Sequence, residues 1–153
     1  FLIFTKPNSD KDGRIIIQMI DEYVQSNSEK AIAFTSLGQL RYLSAIQLMD
    51  AVVGNSSSGI IEVPAFNVPT VNIGDRQKGR IMGPTIFCCE PLKEEITKAL
   101  TNTFNFDKTK QYAHPYGDGN TSGKILEILK GKEDINLKKR FFDSIVSKNC
   151  EGV

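Results

Sequence analysis

Short, uninterrupted apolar runs recur along the chain: Phe1 to Thr5, Ala31 to Phe34, Ala51 to Val53, Thr70 to Ile73 and Thr85 to Cys88. They are continuous rather than alternating, the pattern of strands buried on both faces, as in parallel sheets. Between them apolar positions recur every three to four residues. Ile15, Met19, Ile20 and Tyr23, set between Asp12-Gly13 and the polar stretch Gln25 to Lys30, predict an amphipathic helix. Leu40, Leu43, Ile46 and Met49 predict a second; a short third runs from Gly59 to Phe66 with Pro64 inside it, and a fourth from Leu92 to Thr101. Regular alternation of strand and helix implies right-handed crossovers onto a parallel sheet covered by helices on both faces, a Rossmann-like α/β domain.

Ligands in such sheets bind beyond the carboxyl ends of the strands, which singles out the loops after Thr5, Phe34, Val53 and Ile73. Past Asn102 the strand signals stop. Gly117-Asp118-Gly119-Asn120 reads as a turn, Ser122 as the N-cap of a helix over Lys124 to Lys130, and the basic, aromatic tail from Leu137 to Lys148 as a last helix.

Composition narrows the function classes. With 153 residues, 40% of them hydrophobic, the chain has the size of one domain with one core. Nineteen basic against eighteen acidic residues leave a formal charge of +1. No whole-chain field would hold a nucleic-acid backbone or an anionic membrane, so any anion must be bound locally. No apolar run reaches the ~18 residues of a membrane span, and Phe1-Leu2-Ile3-Phe4 is too short for a signal peptide. Three cysteines, with Cys88 and Cys89 adjacent, fit neither a disulfide framework nor a zinc site. A soluble protein of the reducing cytoplasm, without metal or cofactor, is the expectation. The chain opens on Phe1 inside an apolar run and reads as a fragment of a longer protein.

Three loops could carry chemistry. Val53-Gly54-Asn55-Ser56-Ser57-Ser58-Gly59-Ile60-Ile61-Glu62 runs from a strand end straight into a helix. Unpaired N–H groups, small residues and three hydroxyls would suit a phosphate there. The same serines could simply cap the helix, and the residues alone leave both readings open. Glu62, one turn in, could accept hydrogen bonds from ribose hydroxyls or merely favour the helix dipole. The loop Asn72-Ile73-Gly74-Asp75-Arg76-Gln77-Lys78-Gly79-Arg80 offers guanidinium forks at a neighbouring strand end, or else is a solvated surface loop. Thr5-Lys6-Pro7-Asn8-Ser9-Asp10 reads as a turn and helix cap. The lone His114 has no Ser, Cys or Asp arrangement around it and reads as a packing or surface residue.

Pro7-Asn8-Ser9-Asp10, Gly54-Asn55-Ser56-Ser57-Ser58-Gly59-Ile60-Ile61-Glu62, Gly74-Asp75-Arg76-Gln77-Lys78-Gly79-Arg80 and Tyr116-Gly117-Asp118-Gly119-Asn120 occur in this order. In that set the chain resembles the C-terminal domain of the hydrolysing UDP-N-acetylglucosamine 2-epimerases of sialic acid synthesis. The resemblance implies half of a glycosyltransferase-B architecture, with residues 1–153 as the UDP-binding domain and the segment 137–153 packing toward an N-terminal domain of the same polypeptide. A homo-oligomer is expected of the full-length protein. Carried over position by position, Ser56, Ser57, Ser58 and Gly59 would hold the diphosphate, Glu62 the ribose, Arg76 the phosphate or ribose side, and Asn8 would line the uridine pocket. The implied reaction eliminates UDP and hydrates the resulting glycal to N-acetylmannosamine. The acid and base belong to the other half, so no catalytic residue is named in this chain, and the fragment alone is expected to be inactive. A non-hydrolysing epimerase or glycosyltransferase domain of the same fold is one alternative. A non-enzymatic interaction module, its polar loops being only caps and turns, is another.

Overall fold

The computed structural model describes residues 1–7 and 13–131, which belong to two compact units, Phe1–Tyr116 and Gly117–Val153. The first unit holds strands β1 (Leu2–Thr5), β2 (Ala31–Phe34), β3 (Val52–Gly54), β4 (Thr70–Ile73) and β5 (Ile86–Cys89). Its helices are α1 (Gly13–Ser26), α2 (Gly38–Ile46), α3 (Ser58–Ile61) and α4 (Lys93–Phe104), with a 3-10 turn at Val63–Phe66. Helix α5 (Thr121–Lys130) lies in the second unit. The β/α alternation is the one the apolar periodicity predicts, with element ends shifted by a few residues.

Every strand pair is parallel, but the strands form two sheets, β1-β2 and β3-β4-β5. The facing edges of β1 and β3 are left unpaired, and a crevice of about 830 Å³ lined by both strands opens between the sheets. This division explains why the apolar runs overstate burial. Strand β4, flanked on both sides, buries Thr70, Val71 and Asn72. Strand β1, with one neighbour, is exposed at Leu2, Ile3 and Thr5.

Helical faces are corrected in the same way. In α1 the half-buried stripe is Ile17, Ile20 and Val24, whereas Ile15 and Met19 of the expected stripe point to solvent. Tyr23 is also largely exposed, though its ring meets Phe4 edge-on at 5.8 Å. In α2 the expected stripe holds from Leu43 onward. Ile46 is buried with Val63 and Val68, and Tyr42, Leu43, Met49, Val52 and Phe66 pack around them. Leu40, in the first turn of α2, lies beyond this core and is exposed.

The core sits where α2 meets the 3-10 turn. The single helix expected from Gly59 to Phe66 is two pieces, because Pro64 has no N–H for a continuing α-helical bond. The α-helix stops at Ile61, Glu62 stands at the junction, and Val63–Phe66 tightens into the 3-10 turn. Asn67, in the left-handed region at φ 57°, closes it. Its amide donates to the carbonyls of Lys108 and Lys110 at 2.6 and 2.7 Å.

In the second unit the Gly117–Asn120 turn is present, with the Asn120 N–H donating to Asp118 Oδ1 at 3.0 Å. Helix α5 begins at Thr121 with Asn120 at the cap position, not at Ser122, and no side chain caps it. Once Asn120 N–H has closed the Asp118 turn, the chain enters the helix directly. The expected helix over Leu137 to Lys148 lies outside the described residues. Among the described residues no helix is long and apolar enough to cross a membrane.

Contact between α3 and β4 is close enough to require glycine. A Cβ on Gly59 would stand 2.7 Å from the Thr70 methyl, while Thr70 Oγ1 donates to the Gly59 carbonyl at 2.8 Å. Gly59→Ala should therefore destabilise the fold by about 1–3 kcal/mol through overpacking. Thr70→Ser, which removes the methyl and keeps the hydroxyl, should return most of that loss in the double variant. Urea denaturation of the four proteins measures the coupling; equal losses in Gly59→Ala with and without Thr70→Ser would refute the contact.

Candidate functional site

The register of β3 on β4 pairs Gly54 with Asn72. The loops that follow therefore leave neighbouring strands side by side. Gly74 opens the second loop at φ 74°, a conformation that favours glycine. Asn55 ties the loops together. Arg76 Nη1 donates to its side-chain Oδ1 at 3.3 Å, and Gln77 Nε2 donates to its carbonyl at 2.8 Å. Gln77 is 3% exposed, and its Oε1 has no partner among the described residues. The basic loop is thus anchored by its buried glutamine, while Arg76, Lys78 and Arg80 are exposed.

The serines divide their work. The Ser56 carbonyl accepts the Gly59 N–H at 3.2 Å, and the Ser57 carbonyl accepts those of Ile60 and Ile61 at 3.0 Å. Ser57 occupies the cap position of α3 without making a side-chain cap bond. Ser56 Oγ accepts the Ser58 N–H at a long 3.4 Å. Ser58 Oγ turns away to the Tyr42 hydroxyl, 2.5 Å distant. Capping therefore does not account for the three hydroxyls. The backbone N–H groups of Ser56 and Ser57 donate to nothing among the described residues.

Glu62 is exposed, and its carboxylate has no hydrogen bond or ion pair among the described residues. It does not sit one turn into a short helix running on to Phe66, as expected, but caps the C-terminal end of a four-residue one. The dipole of α3 presents its negative end here, and at the start of the 3-10 turn the Glu62 side chain makes no cap bond.

Ser56, Ser58, Gly59 and Glu62 line the crevice between the sheets, together with Tyr42 and with Thr35 and Ser36 beyond the end of β2. Ser57 and Arg76 lie outside its lining; Arg76 joins the site through Asn55. Asn8 lies outside the described residues. No group of three or more His, Cys, Asp or Glu among the described residues could hold a metal ion.

Sequence reasoning missed Tyr42 as part of the site, and placed Asn55 and Gln77 in the candidate loops without a role for either. A tyrosine on the inner face of a predicted helix reads as core, and half of Tyr42 is core: its ring packs on the Ile46 cluster. Burial pushes the Tyr42 phenol above its usual range; the Ser58 hydrogen bond pulls it down and the Glu62 charge pushes it up. Tyr42 thus keeps its proton, and its hydroxyl shares a hydrogen bond with that of Ser58.

The model of the family described as UDP-N-acetylglucosamine 2-epimerase matches residues 1–130. The chain is 49% identical over 89 residues to the GDP/UDP-N,N'-diacetylbacillosamine 2-epimerase (hydrolyzing) of Campylobacter jejuni, covering 58% of this chain and 23% of that protein. It is 34% identical over 129 residues to the UDP-N,N'-diacetylbacillosamine 2-epimerase (hydrolyzing) of Legionella pneumophila, covering 84% and 33%. The crystal structure of Methanocaldococcus jannaschii UDP-GlcNAc 2-epimerase in complex with UDP-GlcNAc and UDP superposes with a TM-score of 0.63. That match, at 19% identity, covers 84% of this chain and 35% of the other and shows a shared fold. The chain spans a third or less of the length of the first two of these relatives.

Tyr42→Phe removes the bond to Ser58 and should lower stability by about 0.5–1.5 kcal/mol at pH 8. Because the folded state raises the phenol pKa, the unfolded chain ionises first as pH climbs through about 10. The native state then binds more protons, and stability falls with rising pH. This contribution is fully present below pH ~10 and is lost above it. Urea melts from pH 8 to 11 should show a steeper alkaline loss in wild type than in Tyr42→Phe; equal slopes would contradict the assignment.

Proposed function

Since the chain belongs to the UDP-N-acetylglucosamine 2-epimerase family, we propose that it is the nucleotide-binding half of a hydrolysing sugar-nucleotide 2-epimerase. The observation that carries this reading is the convergence at one crevice of the Ser56 N–H, the Ser56 and Ser58 hydroxyls and the Glu62 carboxylate, the N–H and the carboxylate both without partners among the described residues, with Ser57 in the same loop and Arg76 tied to it through Asn55. A diphosphate fits the donors of Ser56, Ser57 and Ser58 with Gly59 giving close approach. Glu62 takes the ribose hydroxyls, Arg76 the phosphate edge, and Asn8 the base.

In the reaction that follows from this reading, UDP leaves the sugar by elimination and water adds to the unsaturated intermediate. The chain's part is to stabilise the leaving group. Charge accumulates on the departing diphosphate in the transition state, and fixed donors aimed there lower the barrier without reorganising. Acid and base come from a second domain of the same polypeptide, and the chain alone turns nothing over. The full-length protein works as a cytoplasmic homo-oligomer in sialic acid-type sugar synthesis, on UDP-N-acetylglucosamine. A 2,4-diacetamido sugar nucleotide is the second reading, favoured by the names of the relatives at 49% and 34% identity.

Calorimetric titration of UDP into the 153-residue chain should show binding. Glu62→Ala and Arg76→Ala should each weaken it about 10- to 100-fold, the range of a lost hydrogen bond to a charged group. Absence of a UDP-dependent signal in wild type, or unchanged affinity in Glu62→Ala, would refute the site. Free UDP released by the full-length protein from each of the two sugar nucleotides decides between the substrates.

A further inference from the structure

His114 is the chain's lone histidine, and both of its ring nitrogens are committed. Nε2 lies 2.9 Å from the Ile61 carbonyl, which can only accept. The Tyr116 backbone N–H, which can only donate, meets Nδ1 at 3.1 Å. The partners therefore fix the tautomer: the proton is on Nε2, and Nδ1 is bare.

Ile61 is the last residue of α3, and its carbonyl is one of those a helix end leaves unpaired. The bond from His114 holds the peptide that joins Ile61 to Glu62, at the point where α-helix gives way to the 3-10 turn. Two further contacts tie the same short segment to the other loop. Tyr116 OH donates to the Ile81 carbonyl at 3.0 Å, immediately past Arg80. Pro115 covers Gly83 so closely that a Cβ there would stand 3.3 Å from Pro115 Cδ.

We propose that His114, with Pro115 and Tyr116, is a latch that registers the end of α3 and the junction residue Glu62 against the loop carrying Arg76, making His114 a positioning residue for the nucleoside diphosphate. It touches no ligand; it acts through the Ile61–Glu62 peptide. The inference rests on the nucleotide reading above. It also separates the two ring nitrogens by task. The Nε2 donor sets Glu62, and the Nδ1 acceptor shapes the turn that brings Tyr116 onto Ile81.

Calorimetric titration of UDP into the 153-residue chain and its variants tests this. His114→Ala should weaken UDP about five- to ten-fold, the effect of losing one or two ordinary hydrogen bonds. His114→Gln, which keeps a donor near the position of Nε2, should stay within about two-fold of wild type. In a Glu62→Gln background His114→Ala should lose most of its effect, because residues that act through one another are not additive. A histidine that merely stabilised the fold would give the same loss in both backgrounds. Ring ¹⁵N NMR of the wild-type chain should report protonated Nε2 and unprotonated Nδ1. The latch is overturned by unchanged affinity in His114→Ala, by additive losses, by failure of glutamine to rescue, or by the opposite tautomer. Wild type that binds no UDP overturns the nucleotide reading, and the positioning role falls with it; wild type that binds while His114→Ala binds equally well overturns the latch alone.

Discussion

Parallel pairing of β3 with β4 is the constraint from which the site follows. Parallel neighbours cannot be joined by a tight turn, so each strand must be followed by a long excursion before the next begins. After β3 the excursion folds at once into α3 and the 3-10 turn; after β4 it is an irregular basic loop. Both leave from the same edge at the matched positions Gly54 and Asn72. The loops that begin at Asn55 and Gly74 are therefore neighbours before any side chain in them forms a hydrogen bond. The bonds of Arg76 and Gln77 to Asn55 make that proximity definite. Thr70 plays the corresponding part below, fixing Gly59 through its hydroxyl while leaving no room for a side chain there.

Charge is distributed to suit such an arrangement. With a formal net charge of +1 the molecule has no strong overall field, so attraction for an anion depends on which cations are free. Lys6, Lys108 and Lys124 are paired with Asp21, Asp50 and Asp118. Arg76, Lys78 and Arg80 have no ion pair among the described residues, and Arg76 is held against the serine loop by its bond to Asn55. Exposed charges at this distance from solvent contribute modestly and are screened by salt. The N–H donors, held by backbone geometry, supply direction that the lysine and arginine tails do not.

Much of this was legible in the sequence. Period and run length gave five strands and their intervening helices nearly in place, and the strand-end rule pointed to the Ser56–Ser58 and Arg76 loops before any coordinates. Two kinds of information were not there. A continuous apolar run such as Leu2 to Phe4 does not say which neighbour will pair with it, so the separation of β1 from β3, and the crevice it opens, could not be read. Nor does periodicity distinguish a residue that is core alone from one that is core and site. Tyr42 packs on Ile46 and also reaches Ser58, and only the spatial fold of α2 over α3 brings those together. Pro64 was a readable signal. Its consequence, that Glu62 falls at a junction between two helix types, required knowing where the α-helical bonds end.

That junction bears on what kind of chemistry the crevice can perform. A group that moves a proton at neutral pH needs a pKa near the working pH and a partner placed to receive the proton. The pKa of Tyr42, which lines the crevice, is displaced upward by burial, which makes its proton harder to remove. Ser58 is held by that phenol rather than by a base, so its hydroxyl is fixed as a hydrogen-bonding group and not activated as a nucleophile. His114 has both ring nitrogens occupied by backbone partners and faces α3 from outside the crevice lining. What remains are preorganised donors and one open carboxylate. Such a set can bind an anion, orient it and stabilise negative charge that builds up on it.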